Sequence, residues 1–297
     1  MSTFYFSIPN LLTIKIASDK SFELSNTDEM LLRGYIPGIV RLDAVPEHVD
    51  LAIEHIESPV KKFIQEAHRV IIQDSWNGLF SADVYHLLYG MVRLELLKRN
   101  LFPIHAACIG RNDEYILVVG HSGAGKTSVL LKLLQDASIK IFSGNKTVMQ
   151  FENKHLLAVA GTPTITIRGS DKSKLDDLKI ADHVEYWERY AFMLDASRYE
   201  SAPSVKIKAI VMIKLNDYAE ENKTVNPASA LHTLYPFFLD SVNADIVLRD
   251  LNDVFIGNPP DGTQKVLVEH LKHILETVPV YSFIGSSAFV ADHLSQL

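Results

Sequence analysis

The residues best suited to chemistry are Gly120-His121-Ser122-Gly123-Ala124-Gly125-Lys126-Thr127, followed by Ser128. In a loop of this composition the backbone N–H groups, with those of a helix starting behind it, can surround phosphate oxygens. Lys126 can reach terminal phosphates, and the Thr127 hydroxyl can ligate Mg²⁺. Such chemistry needs a strand in front of the loop and a helix behind it. Residues 115–119, Tyr-Ile-Leu-Val-Val, supply the apolar run, and Val129-Leu130-Leu131 opens an amphipathic stretch. The expectation is a phosphate-binding loop with Lys126 on a solvent-facing turn. The competing reading is a glycine turn carrying a solvated lysine.

The rest of the chain must hold that unit in place. Residues 1–80 read as a strand-rich N-terminal domain punctuated by Pro9, Pro37-Gly38, Pro46 and Pro59, and show no catalytic constellation. Residues 81–297 read as the nucleotide-binding domain. Its first helix spans 81–100, with Ser81 as cap, Asp83 in the first turn and Asn100 closing it. Strands are expected at 105–109, 139–142, 164–167, 206–213 and 278–283. A hairpin is expected around Asn153-Lys154, and a helix over 266–275. Residues 231–239 form a weaker helix because Pro236 lies inside. Residues 218–227 read as a polar loop, and 170–200 as polar and partly helical.

The chain has 297 residues, enough for a sizeable core, and 47% of them are hydrophobic. No apolar run is long enough to span a bilayer and no secretory leader is visible, so a cytoplasmic protein without membrane contact is expected. A net charge of −7 with dispersed basic residues argues against nucleic acid as a partner. The single Cys108 reads as a small buried hydrophobe, and no Cys/His spacing suits zinc.

Beyond residue 85 the chain resembles the kinase domain of bacterial HPr kinase/phosphorylase, and more closely the looser group of HPr-kinase-like kinases. The resemblance rests on four features in order: His105 in His-Ala-Ala-Cys-Ile, the glycine loop, Ser143-Gly144-Asn145-Lys146, and Ile167-Arg168-Gly169. It implies an α/β fold, a P-loop kinase core of the HPr-kinase type related to phosphoenolpyruvate carboxykinase. It also implies ATP and Mg²⁺ as cofactors, a histidine near the phosphates at His105, and a mild tendency to form homo-oligomers. The sequence departs from the family where an Asp-Asp pair supplies the base: Gly144-Asn145 (or Ser143-Gly144) stands there. Thr166 stands where the family has a metal-holding glutamate. An asparagine cannot take the proton, although its amide oxygen can ligate Mg²⁺ or orient a hydroxyl.

The expected function is therefore an ATP- and Mg²⁺-dependent kinase acting on a hydroxyl of a small molecule or peptide. Lys126 and residues 120–128 would bind the nucleotide, and Thr127 and Asn145 the metal. His105 and Asn145 would stand beside the acceptor, and Arg168 would neutralise developing charge. Asp217 is a further candidate acid, with a turn residue as its competing reading. The cluster Asp176, Asp177, Asp182 and Glu185 reads as a solvated face. Two alternatives remain open. One is a catalytically degenerate nucleotide-binding module that regulates a partner protein. The other is a serine protein kinase acting on a carrier protein.

Overall fold

The computed structural model describes every residue except 67, 76–83, 174, 176, 177, 179, 181, 187, 244, 245, 250 and 251. The fold is mixed α/β with several sheets. The N-terminal part runs β1 (Ser2–Ile8), β2 (Leu12–Ser18), α1 (Asn26–Tyr35), β3 (Val40–Leu42), β4 (Leu51–Glu57), β5 (Lys62–Gln65) and β6 (Arg69–Asp74). Its strands form one sheet in the order β3-β1-β2-β4-β6-β5, with β2, β4 and β6 parallel. Alternate residues Ile14, Ile16, Ile53, Val70 and Ile72 face a core completed by Leu31 and Leu32 of α1. The next helix, α2 (Val84–Lys98), packs into that same core through Val84, Leu88 and Val92. Ser25 caps α1 in a reciprocal capping box with Asp28. At the ends of the parallel strands, the His55 ring lies 2.8 Å from Ser18 Oγ and 3.0 Å from the Asp74 carbonyl oxygen. All three residues are buried, so this Ser–His–Asp grouping stitches strands together.

After α2 come β7 (Leu101–Ile104), β8 (Ala107–Arg111), β9 (Glu114–Val119), α3 (Lys126–Leu133), β10 (Lys140–Ser143), β11 (Thr147–Glu152) and β12 (His155–Gly161). There follow β13 (Thr164–Arg168), β14 (Val184–Tyr186), β15 (Arg189–Met193), β16 (Val205–Leu215), β17 (Glu221–Val225) and α4 (Pro227–Asn243). The chain closes with β18 (Ile246–Arg249), β19 (Asn252–Phe255), α5 (Thr263–Ile274), β20 (Val280–Gly285) and α6 (Ser287–Gln296). A large sheet runs β10-β8-β9-β16-β12-β11-β7, with β20 also on β16 and β17 on β20. Within it β9, β16 and β20 are parallel. β9 is buried on both faces. Tyr115, Leu117 and Val119 meet the side covered by α4 and α5, while Ile116 and Val118 meet the side covered by α3 and α6. That explains why the segment reads as an unbroken apolar run.

A separate three-stranded sheet, β13-β15-β14, packs on the α3 side through Ile165, Ile167, Tyr190 and Phe192. Residues 170–200 thus hold two strands that the polar composition concealed. Residues 221–225 are likewise a strand, not a loop. β17 lies at the sheet's edge, and its exposure permits a polar sequence. α4 continues past Pro236, because Ala230, Leu234, Phe238 and Val242 bury a stripe at helical spacing while Pro236 stays exposed. Asn100 has φ of 56° just past α2, as a helix-closing residue should. The expected cap Ser81 and first-turn Asp83 lie outside the described residues. Among the described residues no helix is long and apolar enough to cross a membrane.

Candidate functional site

The loop between β9 and α3 leaves the sheet at the carboxyl ends of its parallel strands, where open α/β sheets form crevices. Gly125 is the N-cap of α3 with φ of 98°, a left-handed conformation that side chains rarely adopt. A Cβ there would also lie 2.3 Å from Leu215 Cδ1 of β16, so two independent constraints demand glycine. The Leu215 amide donates to the Ala124 carbonyl at 2.9 Å and ties the loop to β16.

This loop opens onto a cleft of about 420 Å³. His105, His121, Ser122, Gly123, Ala124, Gly125, Lys126, Thr127, Ser128, Asn145 and Arg168 all line it. Gly120 sits just beneath, where its carbonyl accepts from Lys126 Nζ at 2.5 Å. Lys126 corrects one expectation. It does not face solvent but is 9% exposed, in the first turn of α3, with Nζ folded back on the Gly120 and His121 carbonyls. Burial lowers its pKa to about 8. The Thr127 hydroxyl enters no hydrogen bond within the protein among the described residues, so it is open to a ligand.

Gly34, Tyr35, Lys146, Asp171, Tyr186 and Arg189 line the cleft without being marked as site residues by the sequence, alongside His105, Asn145 and Arg168, which are. Lys146, from the turn after β10, places Nζ 3.5 Å from the Tyr89 ring centroid and 4.5 Å from that of Tyr35. Burial, then the charge of Arg93, lowers its pKa to about 7. His105 stands between β7 and β8. Partial burial, then Lys126 and Lys146, hold its imidazole at about 4, so it is neutral at physiological pH. Gly34 and Tyr35, the last residues of α1, form part of the wall, and Asn145 Nδ2 donates to the Gly34 carbonyl at 3.3 Å. The N-terminal sheet's helix therefore contributes to the site. Asp171, Tyr186 and Arg189 complete the far side together with Thr166 and Arg168. A search for lysine, arginine and tyrosine near the family-like segments could have picked out Lys146, but nothing local marks Arg189.

The candidate base positions are instructive. Ser143 is fully buried, donating from Oγ to the Lys146 carbonyl at 2.6 Å. A Cβ at Gly144 would lie 2.2 Å from the Thr164 carbonyl oxygen. Only Asn145 of the three reaches the cleft. Asp171 is the sole carboxylate lining it among the described residues, against Lys126, Lys146, Arg168 and Arg189. A chain of net charge −7 thus concentrates cations here, an arrangement that attracts a polyanion. Asp217 lies exposed in a turn organised by Asn216 and does not line the cleft. Asp182 and Glu185 are exposed, whereas Asp176 and Asp177 lie outside the described residues. Cys108 is fully buried and its thiol is pushed up by that burial. Among the described residues no cluster of His, Cys, Asp or Glu could hold a metal by itself.

No protein-family model matches the chain, and no curated protein matches it. Among solved structures it is similar to the Hpr(Ser) kinase/phosphatase from Coxiella burnetii, at 11% identity. That match covers 65% of this chain and 97% of the other, with a TM-score of 0.30, a distant likeness.

Proposed function

We propose that this chain binds ATP with Mg²⁺ in the cleft and transfers the terminal phosphoryl group to a hydroxyl of a small molecule or peptide. The observation that carries this reading is the β9–loop–α3 unit itself. Its glycine-only N-cap exposes helix amides, and Lys126 and three further cations face the same cleft. The residues fit the group. Loop amides and Lys126 would hold the phosphates. Thr127 would give Mg²⁺ one protein oxygen and Asn145 Oδ1 a second, which suits an ion that keeps waters and phosphate oxygens as its other ligands. When bound, the nucleotide supplies the transferable group in a loose transition state that depends mainly on positioning and charge. His105, neutral at pH 7, would accept a hydrogen bond from the attacking hydroxyl. A cytoplasmic location belongs to the same proposal.

A second reading, a nucleotide-held module without transfer, draws on the missing carboxylate at 143–145. ³¹P NMR of ATP and Mg²⁺ with the protein and a pool of hydroxylated metabolites and peptides tests the two. A new phosphate-ester signal is expected; binding shifts alone would favour the module.

Asn145→Asp sharpens the comparison. The present amide donates to Gly34 while its oxygen is left for the cleft. A carboxylate would face that carbonyl and lose the anchor, so phosphoryl transfer is expected to fall several-fold in a steady-state assay. A gain of about 10²-fold, the scale of general-base help, would instead mark a kinase weakened by loss of its acid.

The pH dependence has a definite sign. Lys146 and Lys126 lose their charges as pH rises through about 7 and about 8. Nucleotide affinity is therefore expected to fall between pH 6 and 9 on this order-of-magnitude scale of shifts. A bound polyanion favours the protonated lysines, so binding at pH 8 should take up protons. Titration calorimetry in buffers of different ionisation enthalpy measures this, and proton release at pH 8 would contradict it.

A further inference from the structure

The far wall of the cleft is a built row of side chains. In the sheet β13-β15-β14, Arg168 is the register partner of Arg189, and Arg189 is the partner of Tyr186. The three side chains therefore lie on one face in a line across all three strands. Thr166, two residues before Arg168, shares that face, and its hydroxyl lies 3.4 Å from the Tyr186 hydroxyl. All four residues line the same cleft as the glycine loop. The other face, with Ile165 and Ile167, is fixed against α3 by the core, so the row cannot turn away. The Gly169 amide donates to the Glu188 carbonyl at 2.7 Å and closes the end of the sheet beside the arginines.

Like charges directly opposite on neighbouring strands destabilise a sheet. Here neither guanidinium has a hydrogen bond or a carboxylate partner among the described residues. Two planar forks on adjacent strands, with two hydroxyls on the same face, are the donor types that pair with a phosphate or carboxylate group.

We infer that the acceptor is itself an anion, a hydroxyl compound whose phosphate or carboxylate group is clamped by Arg168 and Arg189, with Tyr186 and Thr166 as flanking hydroxyl donors. This rests on the phosphotransfer reading above, because it assigns the acceptor's half of the same cleft. The glycine loop with Lys126 serves the donor, and the arginine row serves the acceptor's fixed charge. Arg168 and Arg189 are then specificity-determining residues, and neutral alcohols should be poor acceptors.

The test keeps the two halves apart. The protein is saturated with Mg²⁺ and a non-hydrolysable ATP analogue, and inorganic phosphate and acetate are titrated in separately by calorimetry. Binding of at least one anion to the loaded protein is expected. It should weaken at least tenfold in R168A/R189A and in R168Q/R189Q, and by a clearly larger factor than affinity for the analogue does. Both arginines are exposed, so either variant should fold. Stronger binding of phosphate or of acetate identifies a phosphate ester or a carboxylate. Loaded wild-type protein that takes neither anion, or double variants that bind them as wild type does, overturns the inference. If the analogue itself fails to bind, the phosphotransfer reading falls. Phosphate titrated into K126A without nucleotide then judges the arginine row alone: retained binding that R168A/R189A removes upholds the clamp, and its absence refutes it.

Discussion

Replacing Lys126 by alanine is expected to lower nucleotide affinity by about 10–10²-fold and to reduce turnover at least as much. Lys126 is the first residue of α3, behind a glycine N-cap, with its ammonium inside the loop's curve. A charge-assisted hydrogen bond to a phosphate oxygen contributes about 1.5–3 kcal/mol, which is that range of affinity. Stability should move little despite the burial. The substitution removes the bonds to the Gly120 and His121 carbonyls but also removes an ammonium whose charged form burial already disfavours. These effects oppose each other, so the melting temperature should shift by less than about 4 °C, the change about 1 kcal/mol produces in a large domain. Calorimetric titration with ATP and Mg²⁺, beside thermal denaturation, checks both halves. An alanine variant that binds ATP as wild type does would remove the phosphate-loop assignment.

Part of this site was legible because its signals are local. An apolar run, a glycine pattern and an amphipathic stretch follow one another within residues 115–135, and each has its own physical cause. The buried faces of β9 account for the run, and the left-handed N-cap accounts for Gly125. The hairpin at Asn153 was legible for the same reason, with φ of 52° between β11 and β12. What failed is what depends on distant partners. The helix α1 sits inside a segment that reads as strands, and its last two residues reach the cleft only because α1 packs on the N-terminal sheet. Arg189 becomes a neighbour of Arg168 through strand register, which no local pattern announces. Lys126 looked solvated because lysines usually are, whereas the folded loop wraps it. Burial against α5 and the sheet overrode the propensity penalty of Pro236 in α4.

Gly144→Asp, which would put back a carboxylate at one position where the resembled family has its base, is expected to unsettle the protein without raising phosphoryl transfer. The obstacle is backbone. The Gly144 amide donates to the Thr162 carbonyl at 2.9 Å, which holds the turn after β10 against the strand entering β13. In that position the first side-chain carbon would lie 2.2 Å from the Thr164 carbonyl oxygen and 3.1 Å from Ile165 Cγ1. Backbone cannot swing aside as a flexible side-chain tip can, so β13 or the turn must move. Overpacking of this kind costs about 3 kcal/mol, a fall in melting temperature of about 6 °C or more. Any shift of β13 also displaces Thr166 and Arg168 at the cleft, so transfer should drop with stability. Asn145→Asp, one residue on, meets no such contact and should fold normally. The pair of variants therefore separates two explanations for the missing carboxylate. If Gly144→Asp is stable and faster than wild type, this turn has room for a side chain and the site is a kinase site lacking only its acid. If it is unstable while Asn145→Asp folds, the turn itself has been rebuilt to exclude the acid. Phosphoryl transfer of the proposed kind would then have to rest on Lys126, Lys146 and the alignment of donor and acceptor.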